Sequence, residues 1–127
     1  MQILVDTSIW IDYFKSGENS VMLDDLLEKN NIAINDIILA ELEPFLILKK
    51  QHKTIELLHA IKKLPLQINW SEIIHWQADC LISGINGIGI PDLLIAQNAK
   101  QQHCEIYSLD KHFRLLSRVV TELKLCS

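Results

Sequence analysis

The chain has 127 residues, of which 49% are hydrophobic and 22% are charged, and its formal net charge is −4. This composition is typical of a globular protein and excludes a disordered chain. We expect one domain over residues 1–127, because the length leaves no room for a second. The net negative charge argues against non-specific nucleic-acid binding by overall charge, although it does not exclude a local basic patch.

The cysteines and the apolar segments indicate the compartment. The chain has three cysteines, at Cys80, Cys104 and Cys126, in an odd number and without zinc-finger spacing. A disulfide framework or structural zinc site is therefore not expected. The first apolar run ends at Asp6, too early for a signal peptide, and no later run is long enough to span a membrane. We expect a soluble, cytoplasmic protein.

Short apolar runs alternate with amphipathic stretches along the chain. The first half predicts a strand at 3–5, a helix over Ile9–Phe14 capped by Thr7 or Ser8, a helix at Val21–Lys29, a strand at Ile32–Ile34, a helix capped by Asn35 or Asp36 with a kink or break at Pro44, and a helix at about Thr54–Lys63. The second half predicts a strand at Leu66–Ile68, a helix from Ser71 to about Ser83, a loop at Gly84–Gly89, a helix opened by Pro91, a strand at Cys104–Ser108, a helix at about Lys111–Leu116, and a strand at Val119–Leu123. This alternation predicts an α/β fold with a central, mostly parallel sheet of four to five strands and helices on both faces.

Four acidic residues stand near the predicted strand and helix ends. Asp6 directly follows the first strand, and Asp110 lies just beyond the strand at 104–108. Asp92 falls in the first turn of the helix after the glycine-rich loop, and Glu41 lies about one turn into the helix after the second strand. Because ligands bind beyond the carboxyl ends of parallel strands, we expect the four carboxylates to converge there.

The apolar neighbours of these acids indicate a metal site. Asp and Glu are rarely buried without a compensating positive charge, and clustered carboxylates repel one another. Mg²⁺ or Mn²⁺ would relieve the repulsion, because both prefer oxygen ligands. Such a cation lowers the pKa of a bound water and stabilises charge on phosphate oxygens, so the pattern predicts hydrolysis of phosphodiester bonds.

The sequence resembles a known family over essentially its whole length. The motifs are Val5–Ile11 (Val-Asp-Thr-Ser-Ile-Trp-Ile), Leu39–Leu42, Pro91–Ala96 and Leu109–Phe113 (Leu-Asp-Lys-His-Phe). They resemble the PIN domain, and in particular the VapC toxins of bacterial toxin–antitoxin pairs. The resemblance implies a three-layer α/β/α fold and an Mg²⁺- or Mn²⁺-dependent endoribonuclease. In that enzyme Asp6, Glu41, Asp92 and Asp110 would be both the metal ligands and the catalytic residues.

The same resemblance implies partners and a supporting hydroxyl. It implies a homodimer, inhibited by a VapB-like antitoxin that inserts a segment into or beside the active-site groove. Thr7 matches a position whose hydroxyl often orients the first carboxylate or a water. Two departures stand out. Glu43-Pro44 replaces the small residue or Gly that commonly follows Glu-Leu, and His112 stands where some relatives carry another acid. No histidine is assigned a catalytic role.

Basic residues near the acids are candidates for binding RNA. Lys111 and Arg114 flank Asp110 in sequence, so we expect them to contact phosphates. The basic residues within 49–53 and 62–63 are equally well explained as a solvated helix face.

Two other functions are compatible with the pattern. One is a catalytically silent PIN-like module for RNA binding or assembly. The other is a phosphatase or phosphotransferase with Asp6 as nucleophile, although Ser8 occupies the position where that chemistry usually needs a second acid.

Overall fold

The computed structural model describes residues 2–18 and 20–126, which form five strands and seven helices. The strands are β1 (Ile3–Val5), β2 (Ile32–Ile34), β3 (Lys62–Lys63), β4 (Glu105–Tyr107) and β5 (Lys124–Leu125). The helices are α1 (Thr7–Phe14), α2 (Ser20–Glu28), α3 (Asp36–Leu48), α4 (His52–Ala60), α5 (Trp70–Ile82), α6 (Ile90–Gln101) and α7 (Lys111–Leu116). The sheet order is β3-β2-β1-β4-β5, and every neighbouring pair is parallel. The predicted α/β/α class with a parallel sheet is confirmed.

The central strands are apolar because helices cover the sheet on both faces. Leu4 and Val5 of β1 are fully buried, as are Ala33 and Ile34 of β2. The edge strands differ. β3 is a pair of exposed lysines, and β5 is also two residues long, so both edges are short and discourage pairing with another sheet. Within the described ranges, every helix is too short or too polar to span a membrane.

The strand order creates a crevice between β1 and β4. The chain adds β2 and then β3 on one side of β1, and then crosses to place β4 on its other side. Val5 pairs with Tyr107, and the Asp6 amide donates to the Tyr107 carbonyl at 2.9 Å. The residues that follow β1 and β4 therefore emerge side by side at the point where the order reverses, which is where open parallel sheets bind ligands.

The third predicted strand was wrong in position. Residues 66–68 lie outside regular structure, and the strand is Lys62–Lys63, inside the segment that we predicted to end a helix. α4 ends at Ala60 because Ile61 is extended, and the following backbone pairs with Ala33 and Ile34. Leu64 continues this pairing, since its amide donates to the Ile34 carbonyl at 2.8 Å.

The fifth strand was also displaced. Val119 and Val120 donate their amides to the Leu116 carbonyl, so this segment closes a turn after α7. The strand forms at Lys124–Leu125, where Lys124 pairs with Glu105. The last carbonyl groups of a helix have no partners within the helix. The two valine amides bind one of them, and this holds the valines in a turn.

Two local predictions about the helices also differ from the structure. Of the kink or break predicted at Pro44, the break does not occur, since α3 is assigned without interruption from Asp36 to Leu48. Pro44 and Ala40 are both exposed, so water can bind the Ala40 carbonyl, which a proline at position 44 cannot pair. The cap of α1 is Asp6, whose side chain accepts from the Ser8 amide, in place of Thr7 or Ser8.

A group of buried amides connects α6 to its surroundings. Asn35 caps α3 by accepting from the Ile38 amide at 2.9 Å, and its Nδ2 donates to Asn98 Oδ1 at 2.8 Å. Asn98 in turn donates to the Pro65 carbonyl, while the buried Gln97 donates to the Asn69 carbonyl. These bonds satisfy polar groups that would be costly to bury alone, and they fix α6 against α3 and the segment that leads into α5.

Candidate metal centre

Asp6 lies at the base of the crevice, buried to 5% exposure. Its Oδ2 accepts hydrogen bonds from Ser108 Oγ at 2.8 Å, Ser8 Oγ at 3.0 Å and the Ser8 amide at 3.4 Å. Ser8 lies in the first turn of α1, and Ser108 directly follows β4, so the donors come from both sides of the crevice. In residues 2–18 and 20–126, every hydrogen bond to this carboxylate ends on Oδ2, which leaves Oδ1 able to bind a cation.

Asp92 approaches from the first turn of α6. Burial raises its pKa most, and the charge of Asp110 raises it further. The Gly89 amide and the charge of His112 oppose this rise, while the charge of Asp6 adds to it. The pKa of Asp92 is raised on balance, so its ionised form is held at a cost in this pocket.

Glu41 approaches from α3. Its carboxyl is desolvated although the residue as a whole is exposed, and this burial is the largest cause of its raised pKa. A hydrogen bond from Thr7 Oγ1 to Oε1, at 3.1 Å, opposes the rise. The charges of Asp6, Asp92 and Asp110 all raise the pKa further. Glu41 therefore lies within electrostatic reach of the other three acids.

Asp110 completes this arrangement as the N-cap of α7. Its Oδ1 accepts from the His112 amide at 2.9 Å, and its own amide donates to Ser108 Oγ at 2.9 Å. Ser108 thus links Asp110 to Asp6. The structure brings the four predicted acids to one edge of the sheet.

The structure corrects the expected role of Thr7 and adds hydroxyls that we did not single out. Thr7 bonds Glu41, and the hydroxyls that orient Asp6 are those of Ser8 and Ser108. Ser8 lies within the motif that carries the family resemblance. Ser108 could have been found from its place immediately after a strand that pairs with β1.

His112 is the functional candidate that the sequence reasoning missed. Its Nδ1 lies 3.2 Å from Asp92 Oδ2 and 3.3 Å from Asp110 Oδ1. One ligand atom from each of Asp92, Asp110 and His112 falls within 4.8 Å of the others, as a shared metal ion would require. Its position two residues after a capping aspartate, in the first turn of a helix, was the available signal.

The donor set fits a small divalent cation. It consists of carboxylate oxygens with one imidazole nitrogen, in a place where mutual repulsion and burial raise the pKa of two of the acids. A divalent ion would remove that repulsion. Lys111 and Arg114, the predicted phosphate contacts, are both exposed on α7 beside this centre.

An apolar groove of about 640 Å³ adjoins the centre between α1, α3 and α4. Glu41 forms part of its wall, and Ile11, Phe14, Phe45 and Leu46 supply much of its apolar surface. Phe45 is 57% exposed and belongs to this apolar lining, and exposed apolar patches of this kind often mark interaction sites.

The comparisons with known proteins agree with this fold. The family model described as "PIN domain" matches residues 3–119, and the chain belongs to this family. The structure of VapBC2 from Rickettsia felis, bound to a DNA fragment from its promoter, has a TM-score of 0.77 at 24% identity, covering 99% of this chain and 98% of that one. DNA-bound VapBC from Salmonella typhimurium gives 0.74 at 17% identity, with coverage of 99% and 97%.

A third solved structure, VapBC-1 from nontypeable Haemophilus influenzae, gives a TM-score of 0.71 at 22% identity, with coverage of 100% and 98%. At these identities the likeness establishes the fold. A search of curated proteins found no significant match. The family expected from the motifs is confirmed.

The raised pKa of Asp92 generates a prediction about stability. In a chelator at neutral pH, Asp92→Asn should leave the chain as stable as the wild type or stabilise it by up to about 1 kcal/mol, a rise of about 4 °C in Tm, because it removes a charge held at a cost. Ionised Asp92 lowers the free energy of unfolding at any pH above its raised pKa in the folded chain. Below the ordinary carboxyl pKa, Asp92 is protonated in both the folded and the unfolded chain, and this cost disappears. The difference in Tm, measured by thermal unfolding, should therefore shrink as the pH falls.

Asp25→Asn is the matched control, since Asp25 is exposed on α2 and pairs with Lys29 on the surface. Its effect should stay within about 0.5 kcal/mol. An Asp92→Asn chain that is clearly less stable than the wild type in chelator would contradict the electrostatic account.

Proposed function

We propose that this chain is a divalent-cation-dependent endoribonuclease that acts in the cytoplasm as the toxin of a VapBC-type pair. The observation that carries the proposal is that Asp6, Asp92 and Asp110 all lie within electrostatic reach of Glu41. Burial raises the pKa of Glu41 most, and the charges of these three acids raise it further. Membership of the PIN family supports nuclease chemistry. The names of the structural neighbours support the toxin assignment.

The four acids would hold Mg²⁺ or Mn²⁺. When bound, the cation would lower the pKa of a water molecule near the scissile phosphate, and its positive charge would stabilise the negative charge on the phosphate oxygens. The chain's own contribution is to orient the ligands. Ser8 and Ser108 fix the rotamer of Asp6, and Thr7 fixes that of Glu41. Apolar packing around Asp6 limits access of bulk water and strengthens the electrostatic interactions within the site.

The hydrogen bonds around Asp6 favour a role for this residue as a metal ligand over a role as a nucleophile. Ser8, which occupies the position of the second acid in aspartate-dependent phosphotransferases, donates its hydroxyl to Asp6. Ser8 therefore cannot replace the second carboxylate, which exchanges a proton with the hydroxyl group in that chemistry.

The central prediction concerns the acids. Asp6→Asn should lower RNA cleavage in Mg²⁺ or Mn²⁺ by about 100-fold or more, because a neutral amide replaces a charged ligand. Asn is also a good helix N-cap, so α1 should survive the change. The assay is cleavage of total RNA by the purified chain, with sequencing of the ends and circular dichroism to check folding.

Asp25→Asn, on the exposed face of α2, is the control and should cut as the wild type does. Full activity in a pure Asp6→Asn preparation would refute the proposal. A wild-type chain that binds cations and RNA without cutting would favour the silent module instead.

Lys111 and Arg114 are proposed to contact RNA phosphates. Each such contact to single-stranded RNA contributes about 0.7 to the slope of log affinity against log salt, so Lys111→Ala with Arg114→Ala should flatten the slope by about 1.4. RNA binding to the Asp6→Asn chain at several salt concentrations measures this. Lys29→Ala, at an exposed position directly after α2, should leave the slope unchanged. An unchanged slope in the double variant would refute these contacts.

The proposed partners are a VapB-like antitoxin and a second copy of this chain. The groove offers an apolar surface for an inserted antitoxin segment, and Glu41 in its wall is the acid that such a segment would contact. Apolar side chains on α5, at Ile74, Leu81 and Ile82, are exposed and provide surface for a homodimer. Light scattering on the purified chain measures the oligomeric state.

Phe45→Asp tests the groove. Replacing a central aromatic side chain with a charge should weaken binding of the antitoxin by about thirtyfold or more. The probe is the VapB-like antitoxin that we propose is encoded beside this gene, and calorimetry measures its affinity. Leu48→Asp is matched, since Leu48 is exposed on the same helix and does not line the groove. Equal affinities for both variants and the wild type would exclude this surface.

A further inference from the structure

His112 places a ring nitrogen among the acids. It is the second residue of α7, and its amide bond to Asp110 Oδ1 fixes the backbone. Nδ1 lies 3.2 Å from Asp92 Oδ2 and 3.3 Å from Asp110 Oδ1, so it sits between carboxylates that come from different elements. A cation that binds both carboxylates would therefore lie beside Nδ1.

The other end of the ring faces away from the acids. A Cβ built on Gly87 would lie 3.8 Å from Nε2, which puts the Nε2 side of the ring next to the Gly84–Gly89 loop. The side chain of His112 is 28% exposed, and those of Asp92 and Asp110 are 20% and 35% exposed. The three groups are thus partly enclosed but remain accessible to an ion from solvent.

The chemistry of this donor set differs from that of acids alone. Carboxylates suit Mg²⁺ and Mn²⁺ alike, whereas imidazole binds first-row transition ions much better than Mg²⁺. Mg²⁺ also demands a strict octahedron of oxygen ligands and gives up its waters reluctantly. One nitrogen among the ligands therefore shifts the preference of the site.

We propose that His112 is a cation ligand through Nδ1, together with Asp92 and Asp110, and that it makes the centre selective for a transition ion such as Mn²⁺ over Mg²⁺. The inference rests on the proposed function, because it assigns the ion of the same site. It also places a specificity determinant on a residue outside the four acids.

A different role for the ring makes opposite predictions. If His112 served as a fixed positive charge in place of a cation, its removal would strengthen the binding of Mg²⁺ and Mn²⁺ alike. If it is a ligand, its removal weakens Mn²⁺ binding and affects Mg²⁺ less. The two roles are therefore separated by the direction of the change.

The first experiment uses the wild-type chain, so it does not depend on the folding of a variant. Protein with ¹⁴N- or ¹⁵N-labelled histidine is loaded with Mn²⁺ and examined by pulsed electron paramagnetic resonance. A nitrogen hyperfine coupling that changes with the histidine label supports the inference. A spectrum of bound Mn²⁺ without any histidine coupling overturns it.

The second experiment compares affinities by calorimetry. His112→Asp should lower the preference for Mn²⁺ over Mg²⁺ by about tenfold or more, since it supplies oxygen in place of nitrogen. His112→Gln should weaken Mn²⁺ binding. His75→Gln is the control, because His75 lies exposed on α5 and bonds the Ser71 carbonyl of its own helix. An unchanged preference in His112→Asp, or tighter Mn²⁺ binding in His112→Gln, overturns the inference.

The design separates this inference from the proposed function. Failure of the wild-type chain to bind either ion would refute both. Binding that is lost in Asp92→Asn but shows no histidine coupling would leave the metal site in place and refute only the role of His112.

Discussion

Negative charge held together at one edge of the sheet is the constraint on which the rest of the structure depends. Asp6, Glu41, Asp92 and Asp110 come from four separate elements, and burial with mutual repulsion raises the pKa of Glu41 and Asp92. Bringing these acids together costs free energy on folding, so other parts of the fold have to hold them in place. The parallel sheet supplies the geometry, because the reversal of strand order between β1 and β4 opens the crevice that the acids share.

Hydroxyl groups supply the hydrogen bonding. Ser108 bonds both Asp6 and the Asp110 amide, and Ser8 bonds Asp6 from the other side, so the ends of β1 and β4 are connected through side chains. These donors are neutral, so they fix the position of the Asp6 carboxyl without adding positive charge beside it. This edge of the sheet therefore stays rich in negative charge, which suits the cation site proposed above.

The sequence predicted the parts of the molecule whose patterns are local. The buried strands at 3–5 and 32–34, the capped helix at Lys111–Leu116 and the four acids all follow from apolar runs and nearby capping residues. β3 and β5 could not be found in this way. They are two-residue edge strands defined by pairing with distant partners, Ala33 and Glu105, and their own residues carry no strand pattern. His112 was noted in the sequence only as a departure from an acid that some relatives carry, and its place in the site becomes visible through the approach of Asp92 from α6.

The amide pair Asn35–Asn98 has a consequence for the proposed metal centre. Asn35 caps the helix that carries Glu41, and Asn98 lies six residues beyond Asp92 on α6, so one buried bond couples the helices that carry these two acids. The backbones from which the two carboxylates extend are therefore held together by the fold itself. A cation bound by both acids would require little further ordering of the backbone, so little conformational entropy would be lost on binding.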